Sequence, residues 1–439
     1  MPRKDPITGK IKWYKSEGAI SVYSALISIL IGMVVGALIV IIVGLSKSNI
    51  STGGIWDGIR LVFLGVFSTG RGDSGALTFG FNAVNLGNML FRAVPLIMCG
   101  LSVAVAFKTG LFNIGAPGQY LLGTAGTLSV GLTLGNAGCP KAIAWLLAFL
   151  VGMLLGALWG SIPGLFKAYL NINEVITCIM TNWIAANAVT WWFDAHEIFK
   201  NSEEGGKIGY IIPLKNVGVT TPKMLLTKIF PGSQVNGGFW IAILIAIAMW
   251  IMMTKTTFGY ELRACGANRH AARYAGINDK KSIILSMAIA GALAAAGASL
   301  YYLSGNTEFY WSTYQKLPAE GFNGIPVALL AANHPVGVIF SGIFMSLLTI
   351  SGLQLKYLTA YNEYISDIIV AVIVYLSAFS MLFNTKLRKK IRPGSGTNVN
   401  DEPDTVTAAA AASAEDVTDA AEDAAGIVTD ETGKGGSEA

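Results

Sequence analysis

Two polar segments interrupt a chain that is otherwise apolar, and the first of them carries two side-chain amides. Asn113 and Gln119 lie in KTGLFNIGAPGQYLLGT, residues 108–124. Amides donate and accept hydrogen bonds without the desolvation cost of a charge, so they suit a path for a polar, uncharged solute. They suit hydrogen bonds between packed transmembrane helices equally well. We predict that this glycine-rich stretch interrupts a helix at membrane depth, as in transporters whose broken helices line a cavity.

Arginines and small residues alternate in the second segment, TFGYELRACGANRHAARYAGIN, residues 257–278. Small residues let a short helix seat closely in a partner's groove, while arginines pair with carboxylates at its rim. The alternative is that these arginines only reflect the excess of positive charge on cytoplasmic loops. We favour a docking element, and its predicted contact residues are Arg263, Gly266, Asn268, Ala271, Arg273 and Gly276.

Two further amides, Asn182 and Asn187, lie in the apolar stretch 175–193 beside Trp191 and Trp192. With Asn113 and Gln119 they complete the predicted translocation path. Aromatic faces can stack on a base. We favour membrane-interface positions for these two tryptophans, because Trp is enriched at both interfaces of a bilayer.

Charged residues within the apolar stretches are few. Arg92 lies inside the stretch 85–107, where a charge is costly and is usually paired or functional. Its candidate partners are Glu363 and Asp367. An ion-coupled carrier would need intramembrane carboxylates, and the stretches offer few beyond Glu174 and Asp367.

Several kinds of catalytic chemistry have no motif in this sequence. It contains no G-x-x-x-x-G-K-[ST] phosphate loop, no G-x-S-x-G elbow and no H-E-x-x-H pair. The three histidines (His196, His270 and His334) fall in different predicted loops, and the four cysteines form no CxxC. We therefore expect no enzyme activity, no metal site and no cofactor bound by this chain.

Composition indicates the environment of the chain. Of 439 residues, 53% are hydrophobic and 13% are charged, whereas a soluble domain has about 25% charged residues. A membrane-spanning helix needs roughly 20 apolar residues. We predict an all-α, polytopic membrane protein of about ten spans: 21–45, 85–107, 118–134, 141–166, 175–193, 239–254, 282–303, 319–333, 336–355 and 364–384. The range 319–333 is short and broken by Gly and Pro, so it either spans or re-enters.

Basic residues predict the orientation, because Lys and Arg accumulate in cytoplasmic loops. With ten spans, the basic clusters of the N-terminal segment 1–20, the loop 255–281 and the segment after the last span all lie on the cytoplasmic side. Both termini are then cytoplasmic, and the loop 194–238 is external. The permease domain covers 21–392. The tail 393–439 holds eleven acidic residues and one basic residue, and we predict that it is disordered.

Three motifs together resemble one family, the permeases of ATP-binding-cassette (ABC) importers for branched-chain amino acids, simple sugars and nucleosides. LFNIGAPGQ is similar to that family's F-N-I-G-x-E-G-Q, with Pro117 at the acidic position. The 257–278 segment is similar to R-A-x-G-x-N-P-x-A-A-x-x-A-G-I, with Arg269 at the proline. GIPVALLAANHPVG, residues 324–337, is similar to I-x-V-A-L-L-G-x-x-x-P-x-G, with Ala331 at the glycine.

The resemblance implies a permease subunit of the bacterial inner membrane, most like the nucleoside branch. It implies two cytoplasmic ATPase subunits that bind the ATP and dock on 255–281, a second permease subunit, identical or homologous, and an extracytoplasmic substrate-binding lipoprotein. Sugar and branched-chain amino acid permeases of the same family are alternatives. An ion-coupled secondary carrier and a membrane-embedded enzyme or scaffold are the competing hypotheses from other classes.

Overall fold

The computed structural model describes residues 17–47, 50–201, 209–311 and 316–361, together with positions 364, 367, 368, 371, 372 and 375. Most of these residues are helical. The helices are α1 (Glu17–Ser46), α2 (Thr52–Leu64), α3 (Ala83–Lys108), α4 (Ala116–Asn136), α5 (Lys141–Leu170), α6 (Glu174–Asp194), α7 (Leu226–Ile229), α8 (Gly238–Lys255), α9 (Thr257–Ala267), α10 (Arg269–Tyr274), α11 (Asp279–Tyr302), α12 (Ala319–Leu330) and α13 (Pro335–Leu358). Two strands, β1 (Ser68–Arg71) and β2 (Leu77–Phe79), form an antiparallel hairpin.

Five of the described helices are long and apolar enough to cross a membrane: α3, α5, α8, α11 and α13. The chain is therefore a multi-pass membrane protein. Helices coincide with every predicted span in the described part of the chain, but α12 has only 12 residues. At 1.5 Å per residue it covers about 18 Å, too little for a bilayer core of about 30 Å. The last predicted span, 364–384, lies almost entirely outside the described residues, as do most of 1–20 and all of 393–439.

Helix α2 and the hairpin were not predicted from the sequence, and the hairpin departs from the all-α prediction. Helix α2 is too short to resemble a span, and it begins where the Ser51 hydroxyl accepts a hydrogen bond from the Gly54 amide. The hairpin turns through Gly75, whose φ of +75° is favourable only for glycine. Its strands have three and four residues, which is too short for a recognisable alternation of polar and apolar side chains.

Helix α11 lies at the centre of the bundle, packed against α3, α4 and most extensively against α5. Small residues of α5 and α11 face each other. A Cβ atom on Gly156 would lie 2.5 Å from the carbonyl oxygen of Gly291 and would collide with the side chain of Ala295. The two backbones approach this closely only because Gly156 has no side chain.

We predict that Gly156→Ala lowers the thermal unfolding midpoint of the detergent-solubilised protein, because overpacking a tight interface costs about 1–3 kcal/mol. Gly53→Ala is the matched control, since the nearest atom to its added Cβ would be the Ser51 hydroxyl at 3.8 Å. It should leave the midpoint unchanged or raise it, because Ala is the better helix former. An equal response of the two variants would contradict the packing described for α5 and α11.

Candidate functional site

The first polar segment forms a sharp return between α3 and α4. Helix α3 ends at Lys108, and the chain turns at Gly110, whose φ is +70°. The Leu111 amide donates to the Ala106 carbonyl at 3.0 Å. The chain then turns back beside α3, so that Asn113 Nδ2 donates to Ser102 Oγ at 3.0 Å. Ser102 lies six residues before the end of α3, about 9 Å inside it at 1.5 Å per residue. Helix α4 thus starts within the helical bundle, as expected for an interrupted helix.

Asn113 and Gln119 bind each other at this junction. Asn113 Nδ2 donates to Gln119 Oε1 at 2.8 Å, and Gln119 Nε2 donates to Asn113 Oδ1 at 3.0 Å. The same Asn113 oxygen accepts from the Gly115 amide at 3.2 Å. Both side chains are essentially inaccessible, with 0% and 1% of their surfaces exposed. The pair therefore satisfies backbone and side-chain groups where the helix is broken.

Asn182 of α6 secures the same junction from the other side. Its Oδ1 accepts from the Gly118 amide at 2.9 Å, and its Nδ2 donates to the Ile114 carbonyl at 3.0 Å. In the conformation described, three of the four predicted path residues thus lie together and bond to the chain itself. Their contact with a solute stays a prediction.

The fourth predicted path residue lies apart from the junction. Asn187 is exposed on α6, and its Nδ2 donates to the Trp183 carbonyl at 2.8 Å. It shares an open, apolar surface with Trp183, Trp191 and Met180. The structure therefore does not bring Asn187 together with the other three amides.

The docking segment consists of two short helices, α9 and α10, joined at Asn268. The Thr256 hydroxyl caps α9 by accepting from the Gly259 amide at 3.1 Å, and Asn268 Oδ1 caps α10 by accepting from the Ala271 amide at 2.9 Å. After α10 the chain turns at Gly276, whose φ is +83°. The predicted docking residues Asn268 and Gly276 therefore have clear local structural roles.

Asp279, which no motif in the sequence marks, holds α10 against the start of α11. Its Oδ2 accepts from Arg269 Nε and from an Arg273 guanidinium nitrogen, each at 2.7 Å. The hydrogen bond from Arg273 to this carboxylate raises the pKa of Arg273. The Arg273 side chain is still 57% exposed. Two of the three arginines in the segment thus brace α10, whereas Arg263 is exposed and contacts only the Gly259 carbonyl, at 3.4 Å, among the described residues.

The two polar segments meet at Gly266. A Cβ atom on this residue would lie 2.6 Å from the Lys108 carbonyl oxygen and 2.8 Å from the Gly110 amide nitrogen. Leu262 and Cys265 are buried on the same side of α9, and Thr109 and Ser286 share a hydrogen bond just beneath it. The docking segment therefore rests directly on the turn that ends α3 and begins the helix break.

The opposite side of the docking segment is exposed. Arg263, Ala271 and Tyr274 all face away from the bundle, and Tyr274 has 94% of its surface exposed. A second protein can therefore approach this surface, which we call the docking face (Arg263, Ala271 and Tyr274).

Carboxylates that could bind a coupling ion are scarce in the described part of the chain. Glu174 is buried and pairs with Lys167, with 3.1 Å between Oε2 and Nζ. No three His, Cys, Asp or Glu side chains group as a metal site among the residues that the structure describes. Glu363 lies outside those residues, and Asp367 is exposed.

A multi-pass helical bundle with an interrupted helix and an exposed pair of short helices is the architecture of a membrane transport protein. The chain belongs to the family described as "Branched-chain amino acid transport system / permease component", whose model matches residues 85–378. No solved structure matches it.

Three proteins similar to the chain are named as transport permeases. The chain is 33% identical over 368 residues to the guanosine ABC transporter permease protein NupP of Bacillus subtilis, covering 83% of this chain and 96% of that protein. It is 32% identical over 364 residues to the nucleoside ABC transporter permease protein NupB of Lactococcus lactis, covering 83% and 92%. It is 29% identical over 306 residues to the glucose ABC transporter permease protein TsgB13 of Haloferax volcanii, covering 68% and 77%.

We predict that Asn113→Leu lowers the thermal unfolding midpoint strongly, because it leaves the Gln119 amide and the Gly115 N–H unpaired in the interior. Each unpaired buried group costs about 1–3 kcal/mol. Asn187→Leu is the matched control and should have little effect, since Asn187 is exposed. Similar midpoints for the two variants would contradict the structural role of the amide pair.

Proposed function

We propose that this chain is the membrane-spanning subunit of an ABC importer for nucleosides in a bacterial inner membrane. Two relatives that are named for guanosine and nucleoside transport are covered over more than nine-tenths of their length, which supports the substrate class. The observation that carries the mechanism is the backbone contact between Gly266 and the 108–110 turn. It connects an exposed docking face to the helix break in the bundle.

The ATP is bound by a partner in this proposal. The sequence contains no phosphate loop, so a cytoplasmic ATPase subunit supplies the energy. Arg263 of the docking face presents its guanidinium to a carboxylate on that subunit, since Arg is well suited to paired hydrogen bonds at protein interfaces. Ala271 allows close approach, and Arg269 and Arg273 keep α10 in position through Asp279.

Movement of the ATPase subunits is transmitted through Gly266. Because α9 touches the backbone of the 108–110 turn without an intervening side chain, a shift of α9 displaces the end of α3. The junction held by Asn113, Gln119 and Asn182 then either moves as one body or exchanges its internal hydrogen bonds for bonds to a solute. Packed helices switch between two discrete arrangements, so a small shift of α9 can open or close the path through the bundle.

The remaining parts of the transporter follow from the family. Ten spans with both termini in the cytoplasm place 255–281 on the ATPase side and 194–238 on the outside. A second permease subunit, identical or homologous, completes the path, and an extracytoplasmic lipoprotein delivers the solute. The chain itself makes and breaks no covalent bonds and binds no cofactor.

Two alternatives make different predictions. The similarity to a glucose permease keeps sugar transport as the second candidate. An ion-coupled carrier working alone is disfavoured by family membership and by the pairing of Glu174 with Lys167. ATP-dependent uptake of labelled guanosine or glucose into proteoliposomes containing the complete transporter separates these possibilities, since a carrier would transport without the ATPase.

We predict that Arg263→Glu reduces the ATPase subunit recovered with the purified permease by about tenfold or more, because it places like charges at the interface. Recovery is measured by affinity purification in mild detergent, with permease amount and elution profile as the measure of folding. Lys223→Glu makes the same charge change at another exposed position, in the predicted external loop. It should not alter recovery. Full recovery with Arg263→Glu would contradict docking on this face.

A further inference from the structure

The hydrogen bonds at Asp279 fix α10 to the first residue of α11. One carboxylate oxygen, Oδ2, accepts from Arg269 Nε and from Arg273 Nη2, each at 2.7 Å. Hydrogen bonds between charged groups are roughly twice as strong as those between neutral groups. Asp279 is only 5% exposed, and a charge so buried is costly unless it stays paired. The start of α11 and α10 therefore move together, and we call these three residues the Asp279 clamp.

Helix α11 crosses the bundle without interruption. It has 24 residues and no proline, whereas α3 and α5 each contain an internal proline. At 1.5 Å per residue it is about 36 Å long. Its middle packs closely on α4, since a Cβ atom on Gly123 would lie 2.6 Å from the Ala295 Cα, and the hydroxyls of Thr127 and Ser299 share a hydrogen bond of 2.7 Å. Because closely packed interiors transmit strain, a shift at one end of α11 displaces the other end.

The far end of α11 is bonded to the predicted external loop 194–238. The Thr221 amide donates to the carbonyl of Leu303, the residue that follows α11, at 2.7 Å. The Ile211 amide of the same loop donates to the Phe309 carbonyl at 2.9 Å. One helix thus carries the docking segment at one end and this loop at the other.

We propose that Asp279 is a positioning residue that connects the 194–238 loop to the ATPase subunit by holding α10 to the end of α11. The proposal rests on the function proposed above and adds a second connection to the one through Gly266. When the loaded binding protein docks on the external loop, α11 shifts and the Asp279 clamp carries α10 with it. The fit of the docking face to the ATPase subunit then changes. Coupling between two binding sites is reciprocal, so ATP binding acts on the loop through the same helix.

Arg269 gives this clamp a hydrogen bond that the similar family motif does not provide. The motif R-A-x-G-x-N-P-x-A-A-x-x-A-G-I has proline where this chain has Arg269. Arg269 is the first residue of α10, a position that favours proline, and Asn268 before it is already extended, with φ −156° and ψ 107°. Arg269→Pro therefore removes one hydrogen bond of the clamp and keeps the backbone, while Arg273 still binds Asp279.

The test uses the complete transporter, reconstituted with its ATPase, second permease and binding protein. The measured quantity is the ratio of the ATPase rates with and without guanosine-loaded binding protein. Recovery of the ATPase subunit and the thermal unfolding midpoint are measured for each permease as well. We expect Asp279→Asn to lower this ratio by about fivefold or more, the usual size of a coupling between two sites. Arg269→Pro should lower it by a smaller factor.

Glu261→Gln is the matched control for Asp279→Asn. It makes the same change from a carboxylate to an amide, at an exposed position of α9 that lies outside the docking face. It should leave the ratio of ATPase rates unchanged.

The outcomes separate the two proposals. An unchanged ratio in both clamp variants overturns the role of Asp279 and leaves the importer function intact. A lowered ratio with normal recovery and an unchanged midpoint supports it, since a merely structural role would lower recovery or midpoint and leave the ratio of the assembled complexes unaltered. If Asp279→Asn does not assemble, the ratio in Arg269→Pro decides. An unaltered transporter that imports guanosine without stimulation by its binding protein overturns the connection through α11 alone. Absence of any ATP-dependent nucleoside uptake by the unaltered transporter overturns the proposed function.

Discussion

Helix α9 lies directly against the backbone of the 108–110 turn, which couples the exposed docking segment to the interior of the bundle. Gly266 has no side chain, so the docking segment lies directly against the Lys108 carbonyl and the Gly110 amide. Any larger residue would hold the two apart. Because Gly110 itself needs a positive φ to turn the chain after α3, two glycines meet where an exposed surface touches the helix break. The surface that a partner can reach and the interior junction are thereby mechanically continuous.

The junction is stiff because its polar groups satisfy one another. Asn113, Gln119 and Asn182 make six hydrogen bonds at the junction, three of them to the backbone of residues 114–118 and three between side chains, counting that to Ser102. In a water-free interior such bonds are costly to leave unmade, so the junction favours discrete arrangements over gradual deformation. Beyond it, α4 and α12 start side by side, because Gly321 lies against Pro117. The docking segment and the helix break are thus continuous through the bundle.

The interruption between α3 and α4 could be predicted from the sequence, because glycine spacing and polarity are local signals. The sequence did not predict that Asn113 and Gln119 bond to each other. An amide side chain suits a hydrogen bond between helices and a contact with a solute equally well, and its identity alone does not separate the two. The role of Asp279 depends on how α10 folds back onto the start of α11, which the residue pattern does not reveal. Helix α2 and the hairpin were missed because a helix of 13 residues and strands of three and four residues lack the length of a span. That Arg269 and Arg273 brace α10 also required the position of Asp279.

Docking of an ATPase subunit on this chain requires the docking face to be cytoplasmic. Cys265 is a poor probe of the side on which this face lies, because it is 7% exposed and burial raises the pKa of its thiol. A cysteine introduced by Tyr274→Cys is a better probe, because position 274 is 94% exposed. In a Cys139→Ser background, an impermeant thiol reagent should label Tyr274→Cys in inside-out vesicles and not in intact cells. The original Cys139, half-buried between α4 and α5 on the predicted external side, should give the reverse pattern. Labelling of Tyr274→Cys in intact cells would contradict the account.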